Sequence, residues 1–80
     1  MKTKLILSTD NKNIDLWTDL FFIPRLKEWI NVKDLLKDDE LRKLKSTSNS
    51  WSGIRGSVES IEYRHDDNDF FAEIHVLCED

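Results

Sequence analysis

The chain has one cysteine, one proline, two glycines and one methionine in 80 residues. A lone thiol, Cys78, closes no internal disulfide, which fits a reducing compartment. Two glycines, Gly53 and Gly56, are too few for a glycine-rich phosphate cradle. No apolar run approaches the ~18 residues of a membrane helix. Near the N-terminus the apolar run is only Leu5, Ile6 and Leu7, whereas a secretory leader needs about seven or more. The expectation is a cytoplasmic protein without a signal peptide and without a membrane partner.

A basic surplus is also missing. The net charge is −4 and it is unevenly placed. Residues 1–24 carry three basic and three acidic side chains and balance. Residues 25–45 carry seven basic against five acidic, a net +2. Residues 46–80 carry Arg55 and Arg64 against eight acids, a net −6, and the three segments sum to −4. Phosphate backbones are bound by clustered Lys and Arg, so nucleic acid is excluded as a partner. Lys33, Lys37, Arg42, Lys43 and Lys45 are interleaved with Asp34, Asp38, Asp39 and Glu40, as on a solvated helix face.

What is present suits one small core: 39% hydrophobic residues and 35% charged residues of mixed sign. The length allows a single domain, residues 1–80. A chain this short buries only about 60% of its unfolded surface, so its stability is marginal.

Residues 57–79 carry the clearest pattern. Apolar and polar residues alternate on both sides of Asp66, Asp67, Asn68 and Asp69, as in an antiparallel hairpin with one buried face. With the turn at those four residues, His65 faces Phe70, Tyr63 faces Ala72, and Ile61 faces Ile74. Ile61, Tyr63, Phe70, Ala72, Ile74 and Val76 then share the inner face. Glu62, Arg64, Phe71, Glu73, His75 and Leu77 share the other. A slip of one residue would bury charge, so this register is strongly specified. Glu62 opposes Glu73 unfavourably, with Arg64 diagonally in reach to relieve it. Val58 and Ile61 break the period of two, which predicts a bulge near Glu59 and Ser60.

Upstream, residues 4–8 read as a short strand along a sheet edge, beside the C-terminal strand, and residues 9–13 read as a turn. Residues 14–23 are two-sided. Ile14, Trp17, Leu20 and Phe21 fit a helical stripe, whereas Leu20, Phe21, Phe22 and Ile23 before Pro24 fit a buried strand. We take residues 19–23 as strand. Pro24 either opens a helix or begins a tight turn through Lys27, with a strand over residues 28–32.

Here the chain resembles many small bacterial and phage proteins of unknown function. Their opening hairpin has an apolar run, then Pro-Arg, two residues, Glu and a short β-type run. Pro24, Arg25 and Glu28 match this. Lys27 stands where that family usually has glycine. Trp51, Val58 and Ile61 partly match the family's later W-x-V-x-x-V stretch. The resemblance implies an SH3-like barrel ending and no known activity.

Residues 33–46 read as one helix. Asp34 or Asp38 caps it, acids fill its first turn, and Arg42, Lys43 and Lys45 lie near its end, as the helix dipole favours. Leu36, Leu41 and Leu44, with Leu35 beside them, form a stripe to lay on a sheet. A polar linker, residues 46–50, leads to Trp51 and the two glycines.

The chemistry-bearing residues assemble no site. Counted from Asp66, the sixth and twelfth positions are Phe71 and Leu77, which fails the calcium-loop pattern. His65, His75 and Cys78 lack the paired short spacings of a zinc site. An alternative reading, a small hydrolase-like enzyme, could draw on Ser60, opposite His75, and a carboxylate, but no nucleophile elbow or oxyanion loop accompanies them. No cofactor is expected, and no enzyme activity.

The fold class expected is α+β: a curled antiparallel sheet of four to five strands, a small SH3-like barrel or half-barrel, with one helix inserted around residues 33–46. Three tryptophans exceed what so small a core needs. Either they close the ends of a barrel, or Arg25, Trp29 and Trp51 form an aromatic patch for a protein partner. A free strand edge would serve a partner too, including a second copy. The alternative is a phage- or mobile-element-type inhibitor of a host protein, acting through the acidic hairpin.

Overall fold

The computed structural model describes residues 2–10, 12–48, 50–67 and 69–80. Asn11, Asn49 and Asn68, expected in turns and the linker, lie outside the described residues. Five strands form one curled sheet: β1 (Lys2–Ser8), β2 (Asn13–Asp19), β3 (Trp29–Asn31), β4 (Arg55–His65) and β5 (Phe70–Cys78). Their order is β2-β1-β5-β4-β3. Two short helices, α1 (Val32–Leu35) and α2 (Asp38–Lys45), sit between β3 and β4 in the chain. The architecture is an α+β half-barrel.

The C-terminal hairpin has the register its alternation dictates. Ile61 pairs with Ile74, Tyr63 with Ala72, His65 with Phe70, and Glu62 with Glu73. The register shifts between Val58 and Ser60, where the bulge is expected. Arg64 reaches both members of the like-charged pair, at 3.9 Å from Glu62 and 3.8 Å from Glu73. Inner-face residues line up across four strands. One row is Ile14, Leu7, Val76 and Val58; the next is Leu16, Leu5, Ile74 and Ile61. Leu5, Leu7, Val58 and Ile74 are fully buried, each contributing about 1.5–3 kcal/mol. Val32 from α1, Leu44 from α2 and Trp51 complete this core. Tyr63 and Phe70 lie on the inner side of the ladder yet remain 65% and 73% exposed, because the hairpin tip overhangs the core.

Four sequence expectations need correction. First, β1 is beside the C-terminal strand, but it is interior rather than an edge, flanked by β2 and β5. It runs parallel to β5, so the sheet is mixed. Second, the strand expected at residues 19–23 lies earlier, at Asn13–Asp19. Asp19, the last residue of β2, faces Lys2, the first residue of β1. Leu20 and Ile23 instead leave the sheet and pack on the core, and Pro24 is buried.

Third, Pro24 opens no helix, and the tight turn lies one residue later than expected, at residues 25–28. The strand that follows is Trp29–Asn31 rather than residues 28–32, since Val32 begins α1. Glu28 N donates to Arg25 O at 3.2 Å, and Lys27 adopts φ 66°. That is the left-handed conformation for which glycine is normally used. Lys27 is held there by three contacts. Its backbone N donates to Val58 O at 2.7 Å, Val58 N donates to Glu28 O at 2.9 Å, and its Nζ meets Glu59 at 2.7 Å. The bulge frees Glu59 for that ion pair.

Fourth, the helical region at residues 32–45 is broken. Leu36 and Lys37 are extended, with ψ of 150° and 160°. Each piece has its own cap, and neither Asp34 nor Asp38 supplies it. Asn31 Oδ1 accepts from Asp34 N at 3.2 Å, and Glu40 Oε1 accepts from Lys37 N at 2.9 Å. The break re-aims α2, so that Leu44 as well as Val32 is fully buried. Acids in the first turn of α2 and bases in its last follow the dipole as expected.

Candidate functional site

A half-barrel has two free edges, here β2 and β3. Between the end of β2 and the whole of β3 lies an open cleft of about 540 Å³. Its apolar walls come from Leu20, Phe21 and Phe22 on the crossing loop, Trp29 and Ile30 on β3, and Leu35 on α1. Phe21 is fully exposed and Phe22 is 71% exposed. Asp19, Glu28 and Asp34 supply the charge of the lining, and no Lys, Arg or His contributes to it.

The expected patch of Arg25, Trp29 and Trp51 forms only in part. Trp29 is 45% exposed and lines the cleft. Arg25 is exposed in the turn. Trp51 is 4% exposed and belongs to the core, so it is no surface anchor. Its Nε1 donates to Arg55 O at 2.8 Å. Arg55 thus serves both indoles: its carbonyl holds Trp51, and its guanidinium lies 4.3 Å from the Trp29 ring centroid. That cation–π contact helps to hold the Trp29 ring at the cleft.

Sequence reasoning missed Phe21 and Phe22 as surface residues. The sequence carried a signal against a ladder strand there, though not for exposure to water. Four consecutive apolar residues cannot alternate on a sheet with one polar face. Two large rings side by side before a proline therefore belong outside the ladder.

Elsewhere the reactive side chains are spread apart. His75 Nε2 contacts Glu73 Oε1 at 3.1 Å on the outer face, across from Ser60. His65 stacks on Phe70, with centroids 4.5 Å apart. Burial pushes the Cys78 thiol up to about 12, away from thiolate chemistry. Among the described residues, no three His, Cys, Asp or Glu side chains are grouped to hold a metal ion. Lysines from upstream neutralise part of the acidic hairpin, Lys2 with Asp69 at 3.7 Å and Lys27 with Glu59 at 2.7 Å. The hydrogen bond to Glu59 raises the Lys27 pKa and lowers that of its partner. Trp17, the third tryptophan, packs edge-on against Phe71 at 5.0 Å on the outer face.

No family model, curated protein or solved structure matches the chain. Among the described residues, no helix is long and apolar enough to cross a membrane.

Proposed function

We propose that the chain is a small cytoplasmic, non-enzymatic protein-binding module whose partner docks in the cleft between β2 and β3. The observation that carries this reading is the apolar surface left in water there: Phe21, Phe22 and Trp29. Aromatics exposed together and rimmed by polar groups mark interaction surfaces. Two unpaired strand edges flank the same place, and extended partners add to such edges. A pull-down from the native host tests it with the double variant Phe22→Ser/Trp29→Ala. Loss of the partner is expected, whereas the hairpin-tip variant Tyr63→Ser/Phe70→Ser should keep it. Retention of every partner by the cleft variant would end the proposal.

The overhanging tip favours a second reading, an inhibitor of a host protein. Tyr63, Phe70, Asp66 and Asp67 are exposed there. In that case the tip variant loses the partner, and binding weakens as salt rises.

A further inference from the structure

We infer that the cleft accepts an extended, cationic segment of a partner protein: one large apolar side chain flanked by Lys or Arg. The inference rests on the cleft being the docking site, and it adds the chemistry of the occupant.

The charge of the lining decides that chemistry. Asp19 ends β2, Glu28 enters β3 and Asp34 lies in α1, so three separate elements each bring a carboxylate to one apolar cleft. Elsewhere five acids are matched by the chain itself: Asp15, Glu59, Glu62, Asp69 and Glu73 each have a Lys or Arg nitrogen within 4.0 Å. Asp19, Glu28 and Asp34 have none among the described residues, and neither do Asp10, Asp38, Asp39, Glu40, Asp67, Glu79 and Asp80. What marks the cleft is three carboxylates set beside exposed aromatic rings. Arg55, which lies over the Trp29 ring, does not line the cleft. Like charges along low-dielectric walls add their fields and draw counter-charge. An acidic or neutral segment would meet uncompensated repulsion or leave those carboxylates unpartnered. The apolar floor fixes the other half of the specificity. Phe22, Trp29, Ile30 and Leu35 offer no polar side-chain group except the Trp29 N–H, so they select a large apolar anchor. The flanking edges of β2 and β3 favour extended backbone over helix.

A random seven-residue peptide display library, panned on the full chain, tests this. Peptides that lose binding to Phe22→Ser/Trp29→Ala define the cleft-dependent set. Fluorescein-labelled copies are then measured by anisotropy. Enrichment of Lys or Arg beside an aromatic or long aliphatic residue is expected. Affinity should fall about tenfold in the isosteric variant Asp19→Asn/Glu28→Gln/Asp34→Asn, from three exposed ion pairs lost together. It should also fall as salt rises from 50 to 500 mM. Cleft-dependent peptides that are neutral or acidic, or that bind the isosteric variant like the parent, overturn the inference and leave the docking site standing. A library yielding no cleft-dependent peptide removes both. Sedimentation showing a dimer that Phe22→Ser dissociates assigns the cleft to a second copy and overturns the cationic segment.

Discussion

Gly56→Ala is the sharpest probe of how the sheet is packed. Gly56 lies in β4, opposite Cys78 on one side and Ile30 on the other. A Cβ there would stand 2.5 Å from Val76 Cγ1, 3.0 Å from Leu77 O and 3.2 Å from Val32 Cγ2. Carbons settle about 3.5–4.0 Å apart, so the overlap with Val76 is about 1 Å. Val76 is buried and stiff at χ1, and the Leu77 carbonyl belongs to the neighbouring strand. Neither can yield without disturbing the β4–β5 ladder. Overpacking of this kind costs about 1–3 kcal/mol, and we expect about 2–3. A domain of this length has only about 4–12 kcal/mol of stability. In urea the midpoint should drop by about 2 M at an m-value near 1 kcal/mol/M. A double-mutant cycle with Val76→Ala separates the clash from any general effect. Val76→Ala alone should cost about 2 kcal/mol by leaving a cavity. The added methyl of Gly56→Ala then occupies that cavity, so the double variant should fall short of the sum by at least about 1 kcal/mol. Additive costs, or a Gly56→Ala midpoint within about 0.5 M of the parent, would refute the close approach of β4 to Val76.

Three further outcomes follow from the same contacts. Trp51→Phe should lose about 2 kcal/mol in urea, since Arg55 O is left without its indole donor; a change below about 0.5 kcal/mol would show that bond to be idle. Lys27→Gly relieves the left-handed backbone and forfeits the Glu59 ion pair, so its melting temperature relative to the parent should climb with added salt, and a salt-independent difference would contradict this. The Cys78 thiol has a raised folded pKa, so the folded state holds a proton that the unfolded chain has released. Its contribution is intact below pH 9.0, is lost progressively as pH rises toward about 12, and Cys78→Ala should flatten that decline in thermal melts.

Much of the fold is legible because it is local. The hairpin of β4 and β5 follows from period-two alternation around an Asp-rich turn, and the bulge from the three-residue spacing of Val58 and Ile61. The C-terminal end of α2 follows from the bases in its last turn, whereas its start at Asp38 does not. The site was less legible, and Trp29 is the one expected anchor that lines it. The sequence offered Trp51 and Trp29 alike as surface anchors. The chain around Arg55 sends one into the core and leaves the other at the rim.

By itself, then, the sequence determined the pairing of β4 with β5 across its short turn, the faces they bury and where the helical charges fall, since these depend on neighbours a few residues apart. Tertiary structure alone decided that β1 lies inside the sheet, parallel to β5, because that pairing joins residues some seventy positions apart. It also decided that Phe21 and Phe22 stay in water. Their exposure depends on β2 ending at Asp19, and on a loop that must cross to β3 at the far edge of the sheet.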